Sequence, residues 1–368
     1  MRKVSDIKSK KILEEKELGN SRFEFKISGN DINYVVMNTL RRVIFADIPI
    51  YAFDRFSFEK NWSVFHNTYM KQRISMMPIW NIPNENEIYV PQVLEETKEK
   101  IVKENLETKQ GEPTEIDEII STKPLENVDD IELEFQGKID SSTLNQMTMY
   151  INFKNDTKDY KSATTEHAKF YYSNLDISSP YPNPVQLIKL HAGGYIAFSA
   201  ITKLGTESMH AKYSAVSICI YRQYSETEFD FVLESRGQLT EQRIIHVATV
   251  NIIKQLDDFN NLMSKMIKEK PDNILDKQNV EQDITSETKG KIIINNADDT
   301  MGNLLSTGMR LHPNVKWCGY SMPHPLSKKV FIEYELHKTN PNIAQVANDV
   351  VEYYKDLFGK MNSSIQKL

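Results

Sequence analysis

Cysteine is nearly missing from this sequence. Cys219 and Cys318 are the two among 368 residues, too few and too far apart for a disulfide framework or a cysteine-based zinc site. Each is expected to act as a small buried hydrophobe. Long apolar runs are missing as well: a membrane-crossing helix needs roughly 18 or more consecutive apolar residues, and no such run occurs. The charged opening "MRKVSDIKSKK" has neither the apolar stretch nor the small-residue cleavage site of a secretory signal. The expectation is a protein made and kept inside a cell, with no membrane partner. Positive charge is in deficit, with 45 Lys plus Arg against 51 Asp plus Glu and a net charge of −6. That argues against strong direct binding of nucleic acid, whose affinity comes from neutralising phosphates with Lys and Arg.

What is present suits a globular protein with room for two or three domains. The charge is unevenly spread. Residues 79–183 hold 21 acidic and 10 basic residues, a local balance of −11 that leaves +5 for the rest. From Trp80 the chain turns to Asn, Glu, Pro and Lys with weak periodicity, until "DIELEFQGKID" and "TMYINFK" alternate like strands. Residues 80–183 therefore read as an inserted, mainly β, acidic domain.

Around it the pattern is firmer. Residues 30–46 predict an amphipathic helix, with Asn30 or Asp31 as cap, Ile32, Val35, Val36, Leu40, Val43 and Ile44 on one stripe, and Pro49 after its end. "IYAFDRFSFEKN" reads as a strand and "TYMKQRISMMPI" as a short helical segment. After the insert, "NPVQLIKLHAGGYIAFSAITKLG" reads as two strands turned at Gly193 and Gly194, followed by strands "KYSAVSICIYR" and "EFDFVLESRG". A long helix then runs from Thr240 to about Ile267, its stripe including Ile252, Leu256, Phe259 and Met263. Residues 269–290 have few large apolar groups and read as a linker.

The pattern then restarts: strand "KIIINNA", a helix from Asp298 or Asp299 to about Met309, strands "VKWCGYSM" and "KKVFIEYELHK", and a last helix capped by Asn340 and Pro341 with Val346, Val350, Tyr354, Leu357 and Phe358 on its stripe. Pro49 and Pro313 are 264 positions apart, and the same offset relates Met37 to Met301, Leu40 to Leu304 and Phe53 to Trp317. Each long helix offers more apolar surface than one small sheet could cover. The economical solution packs two similar α+β units together, as a two-fold pseudo-dimer within one chain.

"NTLRRVIFADIP", "KQRISMMPI", "VQLIKLHAGGYIAFSAITKLG", "MHAKYSAV" and "FVLESRGQLT" together resemble the third-largest subunit of eukaryotic RNA polymerase II, the archaeal D subunit and the bacterial alpha amino-terminal domain. "DDTMGNLLSTGMRLHPNVKWCGYSMPHPL" resembles the partner eleventh subunit, or archaeal L. The resemblance covers residues 21–79 and 184–368 and implies an α+β fold: two alpha-subunit-like dimerisation units forming an intrachain pseudo-dimer, with the insert in the first. Its domains would be an amino-terminal extension (1–20), a third-subunit-like unit (21–79 with 184–268), the insert (80–183), the linker (269–290) and an eleventh-subunit-like unit (291–368). Fusion of both partners is similar to the arrangement in large nucleocytoplasmic DNA viruses, which implies a viral protein of the host-cell cytoplasmic factory and the virion, with the nucleus as the alternative.

The resemblance also implies a role without catalysis. The protein would be an assembly platform for the second-largest and largest subunits, with small tenth- and twelfth-subunit-like proteins as further partners. Magnesium and zinc would serve the polymerase elsewhere, with no cofactor in this chain. Arg41 and Arg42, read alone, are a solvated helix face; the resemblance turns them toward the second-largest subunit, with Arg42 as the main contact, and assigns the loop with His210, Lys212 and Tyr213 to the same partner. The pseudo-dimer seam would hold Leu40, Ile44, Leu256, Phe259, Met263, Leu304, Leu305, Val350, Tyr354 and Phe358. The Asp pairs 129/130, 257/258 and 298/299 could suggest two-metal chemistry, yet each fits a solvated face or helix cap better. Some relatives hold zinc or an iron-sulfur cluster in the insert through cysteines, and this insert has none. The competing readings are a free-standing regulator-recruiting or nucleic-acid-recruiting cis-dimer and an enzyme sited in the insert, where His167 is the sole histidine.

Overall fold

The computed structural model describes residues 3–17, 20–80, 146–172, 175–268, 280–284, 288–295, 297–324, 329–337 and 342–368. The fold is α+β. Strands β1 (Lys8–Glu17) and β2 (Asn20–Ser28) precede helix α1 (Tyr34–Ala46), strand β3 (Ile50–Asn61) and helix α2 (Asn67–Ser75). Then come β4 (Met147–Lys154), β5 (Lys161–Thr164), β6 (Ala168–Tyr172), β7 (Leu175–Ile177), β8 (Gln186–Leu190), β9 (Tyr195–Gly205), β10 (Val216–Ser225) and β11 (Glu228–Ser235). Helix α3 (Glu241–Lys268) is followed by β12 (Val280–Ile284), β13 (Lys289–Asn295), α4 (Asp299–Arg310), β14 (Val315–Ser321), β15 (Lys329–Leu336) and α5 (Ile343–Ile365).

Two four-stranded antiparallel sheets share one plan, β1-β2-β11-β10 and β12-β13-β15-β14. In each, a hairpin leads into a short helix, α1 or α4, and a second hairpin leads into a long one, α3 or α5. The helices form a layer between them: α1 packs on α3 and α4, and α5 packs on α3 and α4. Each long helix also reaches the other sheet's edge strand, α3 against β12 and α5 against β1. Alternating strands and striped helices thus bury their apolar faces in one continuous core.

The short helices start where asparagine and aspartate can satisfy otherwise unpaired N–H groups. Asn33 Oδ1 accepts from the N–H of Val35 at 2.9 Å and of Val36 at 3.1 Å, so the cap falls two to three residues later than expected. Asp298 Oδ1 does the same for Thr300 and Met301. Asn342 caps α5 through Ala344 and Gln345, whereas the expected caps Asn340 and Pro341 lie outside the described residues.

The architecture differs from the expected boundaries in four places. Residues 8–17, expected as an extension, form β1, paired with β2 from Lys8–Ser28 to Glu17–Asn20. The expected linker supplies β12, the matching edge of the second sheet. The described part of the insert is not separate: β4, β6 and β7 join β3 and β9 in one five-stranded sheet, ordered β3-β9-β4-β6-β7. Finally, Gly193, at φ +74°, turns the chain between two different sheets rather than within a hairpin, because β8 pairs with β5 and β9 with β3 and β4. The fully buried Asn155 holds that turn, its Nδ2 donating to the carbonyls of Leu190 at 3.1 Å and His191 at 2.9 Å. By sheet position β14 is matched by β10, not β3, so the offset pairing Phe53 with Trp317 ends with the helix: Phe53 is buried in the five-stranded sheet and Trp317 is exposed on β14.

Candidate functional site

The ten expected seam residues are all buried, on the four helices that meet in the middle layer. Polar rungs fix the direction of the longest contact. Gln366 Nε2 donates to the Gln242 carbonyl at 2.9 Å, Asn362 Nδ2 lies 3.0 Å from His246 Nδ1, Lys355 Nζ lies 2.8 Å from Asp257 Oδ1, and Asn260 Nδ2 donates to Asn348 Oδ1 at 2.9 Å. As α3 advances, α5 returns, so the helices run antiparallel over about 27 Å, at 1.5 Å per residue. Buried apolar side chains, worth about 1.5 to 3 kcal/mol each, dominate this contact over exposed ion pairs worth less than about 1.

Val350 and Tyr354 have a second neighbour that sequence reasoning missed. Gly308 of α4 lies so close that a Cβ there would come within 2.6 Å of both side chains. Glycine inside a helix costs roughly 1 kcal/mol relative to alanine. Its place in "GMRL" was the available signal for close helix approach.

Around α1 and the 206–214 loop, the structure brings the expected docking residues together unevenly. The Ser208 N–H donates to the Ala46 carbonyl at 3.2 Å, which seats the loop on the end of α1. Arg41 runs back along its helix, Nη2 donating to Asn38 Oδ1 at 2.9 Å. Arg42 leans across to the other half, where Nη2 meets Asp298 Oδ2, the cap of α4, at 3.4 Å with both side chains well exposed. A cleft of about 650 Å³ opens there, lined by Arg42, Val43, Phe259, Leu262, Asp298 and Met301.

His210 is exposed, and its Nδ1 accepts from the Lys212 N–H at 3.1 Å. Lys212 and Tyr213, expected to meet a partner, instead turn inward. Lys212 Nζ pairs with Asp54 and lies 4.9 Å from the centre of the Tyr213 ring. That ring packs on Gly205, where a Cβ would come within 2.7 Å. Burial, then the Asp54 charge, pushes the Tyr213 hydroxyl up to about 12. Burial alone would raise the Asp54 carboxyl, but the hydrogen bond and charge of Lys212 outweigh it and hold it below its usual range.

The "RGQL" turn braces this surface from behind. Gln238 Oε1 accepts from the Tyr51 N–H at 2.7 Å while its Nε2 donates to the Tyr51 carbonyl at 3.0 Å, and Arg236 Nη2 donates to the Met76 carbonyl at 3.1 Å. Asp31, expected as a possible helix cap, does other work. Buried before α1, it accepts from the Ser5 N–H at 2.8 Å, the Ser5 hydroxyl at 2.5 Å and the Tyr353 hydroxyl of α5 at 3.0 Å.

Residues 289–364, covering β13 to most of α5, match the RNA polymerase Rpb3/Rpb11 dimerisation domain. A subunit of DNA-directed RNA polymerases I and III from Caenorhabditis briggsae is 30% identical over 140 residues, 37% of this chain and 92% of that protein. The chain belongs to the RNA polymerase subunit family built on this dimerisation domain. An RNA polymerase subunit of Acanthamoeba polyphaga mimivirus is similar along nearly the whole chain, 24% identical over 371 residues and covering 98% of this chain and 94% of the relative. The archaeal polymerase subunit Rpo3 of Methanobrevibacter smithii is 34% identical over 74 residues, 19% of this chain and 27% of the relative. Against that background, the Rpb3/Rpb11 match falls on the half of the molecule whose sheet and helices repeat the plan of the first. Among the described residues, no helix is long and apolar enough to cross a membrane.

Proposed function

We propose that this chain is a non-catalytic assembly subunit of a DNA-directed RNA polymerase, in which third- and eleventh-subunit-like units are fused and pair as a pseudo-dimer. The observation that carries this reading is the antiparallel α3–α5 seam between two sheets of identical strand order. A dimerisation domain buries the stripe of its long helix against a second copy, and here the second copy is in the same chain. Tethering raises the effective concentration of one half near the other to the order of millimolar and fixes their ratio.

The docking face for the second-largest subunit would be the exposed α1 surface with Arg41, Arg42 and His210. Arginine suits it because its planar fork grips carboxylates or carbonyls at two points. The largest subunit and small tenth- and twelfth-like proteins would complete the assembly, with magnesium and zinc held elsewhere in the polymerase. The mimivirus relative supports a viral source and hence a cytoplasmic viral factory and virion as its places of work.

The test is co-expression with the second-largest subunit of the same polymerase, wild type beside Arg42→Ala and Arg42→Glu, analysed by size exclusion at moderate salt. A stable complex that weakens with alanine and is lost with glutamate is the expected result. A chain that stays alone with every large subunit while keeping its fold would sink the platform reading in favour of a free-standing regulator-recruiting dimer.

A further inference from the structure

A second exposed apolar surface lies at the start of α2. Trp62, Val64, Phe65 and Tyr69 are 58%, 82%, 42% and 48% exposed within eight residues of chain. They are not loose. Asn61 Nδ2 donates to the Phe65 carbonyl at 2.9 Å and to Asn67 Oδ1 at 2.7 Å, while its Oδ1 accepts from the Ser63 hydroxyl at 2.6 Å. The Ser63 hydroxyl in turn accepts from the Phe65 N–H at 3.2 Å. The Trp62 N–H donates to the Tyr195 carbonyl at 2.7 Å, and their rings meet edge to face at 5.8 Å. Phe65 and Tyr69 stack at 4.6 Å. A polar network thus holds four large side chains outward in a fixed knuckle, and aromatic anchors held this way lose little freedom on binding.

The rim supplies the sign of the partner. Lys60 sits over the Tyr195 ring at 5.2 Å, and Arg73, one turn beyond Tyr69 on α2, is exposed. Arg73 Nη2 donates to the Gln186 carbonyl at 3.3 Å, and among the described residues no carboxylate forms an ion pair with Lys60 or Arg73. Glu59 is the nearby exposed acid in sequence. The knuckle is separate from the 206–214 loop: the far end of α2 meets Arg236 at Met76, about 13 Å along the helix.

We propose that this knuckle docks an acidic segment of another protein, one carrying at least two bulky apolar side chains. The apolar groups cover Trp62, Val64 and the Phe65–Tyr69 pair, and the carboxylates face Lys60 and Arg73. Single-stranded nucleic acid would also stack on aromatics, but it has nothing to place on Val64, the most exposed of the four.

The experiment selects phage-displayed random 12-mers on the full-length chain, with counter-selection on the Val64→Asp/Phe65→Ser variant. Overlapping synthetic peptides covering residues 81–145 and a 12-mer of oligouridylate are measured separately by fluorescence anisotropy. The expected result is a set of enriched peptides with net negative charge and two or more Leu, Phe or Trp. Their affinity should fall at least tenfold with Val64→Asp and with Lys60→Glu/Arg73→Glu, both exposed changes that leave the fold intact by circular dichroism. Four outcomes overturn the proposal: no enrichment over the counter-selected variant, enriched peptides of positive charge, patch-dependent binding by oligouridylate or the chain's own 81–145 peptides alone, or self-association of the full chain that Val64→Asp abolishes.

Discussion

Helices α1 and α4 hold the same place in two sheets of the same plan, yet they meet their long neighbours differently. Along the 264-residue offset, Ile44 of α1 corresponds to Gly308 of α4, and Asn38 to Gly302. Ile44 is fully buried, so the first half carries its bulk on the short helix. The second half carries it on the long one: Tyr354 and Val350 fill the space above Gly308, and Val330 and Tyr320 crowd Gly302. A repeat can therefore keep its topology while its packing diverges, because what must be conserved across a contact is total volume rather than the identity of either side.

The sharpest way to break this comparison is to exchange the two residues. Ile44→Gly should cost about 3 to 6 kcal/mol, from a core cavity plus glycine in a helix. Gly308→Ile should cost about 3 kcal/mol or more by driving a side chain into Val350 and Tyr354. Thermal or urea unfolding measures both, and a loss below about 1 kcal/mol in either would show the helices to be interchangeable after all.

A smaller effect separates adjacent tyrosines of α5. The Tyr353 hydroxyl donates to buried Asp31, so Tyr353→Phe should cost about 1 to 3 kcal/mol by leaving a carboxylate short of a donor. The Tyr354 hydroxyl is buried and has no hydrogen-bond partner among the described residues. Tyr354→Phe should therefore be neutral or stabilise by up to about 1 kcal/mol. Equal losses from the two variants would contradict the assignment of their partners.

The smallest effect concerns pH and only the first half, which alone contains the Lys212–Asp54 pair. Because the folded Asp54 carboxyl lies below its ordinary value of 3.8, the stability it contributes is present above that pH and is lost as pH falls through the lower folded value. Asp54→Asn should flatten the stability profile below about pH 4 without changing its shape near neutrality. An unchanged acid limb would remove the ion pair from any role in the loop.

Much of this fold was legible because helices advertise themselves locally. The stripes of α1, α3, α4 and α5 and the 264-residue offset come from residues a few positions apart. The edge strands were not legible: β1, "KSKKILEEKE", is charged like a solvated tail, since charge on an edge guards against unwanted pairing. Membership of β4 in the sheet of β3 and β9 depends on contacts far apart in sequence, which no periodicity encodes. Arg42 was legible as an exposed cation on α1. The inward turn of Lys212 was not, because it depends on Asp54, a residue in β3 that only the fold brings near. Asp31 was visible as a polar group before a helix, but its real partners, Ser5 and Tyr353, lie at opposite ends of the chain.

That last contact belongs to a seam of its own. Ser9 Oγ donates to the Ser364 carbonyl at 2.8 Å, and Lys360 Nζ donates to the Val4 carbonyl at 2.9 Å, across sequence separations of 355 and 356 residues. Ribosomal synthesis delivers Val4 and Ser9 at least 355 residues before the α5 residues they meet. β1 therefore waits through the synthesis of everything between before it meets the helix it lies against, and Asp31 waits nearly as long for Tyr353. Closing so distant a contact is slow, and a nascent chain stalled before α5 leaves the inner faces of α3 and β1 uncovered to the chaperones of the cell. Closure of this seam thus reports that α5 has been made, and a chain still lacking that helix keeps these faces open.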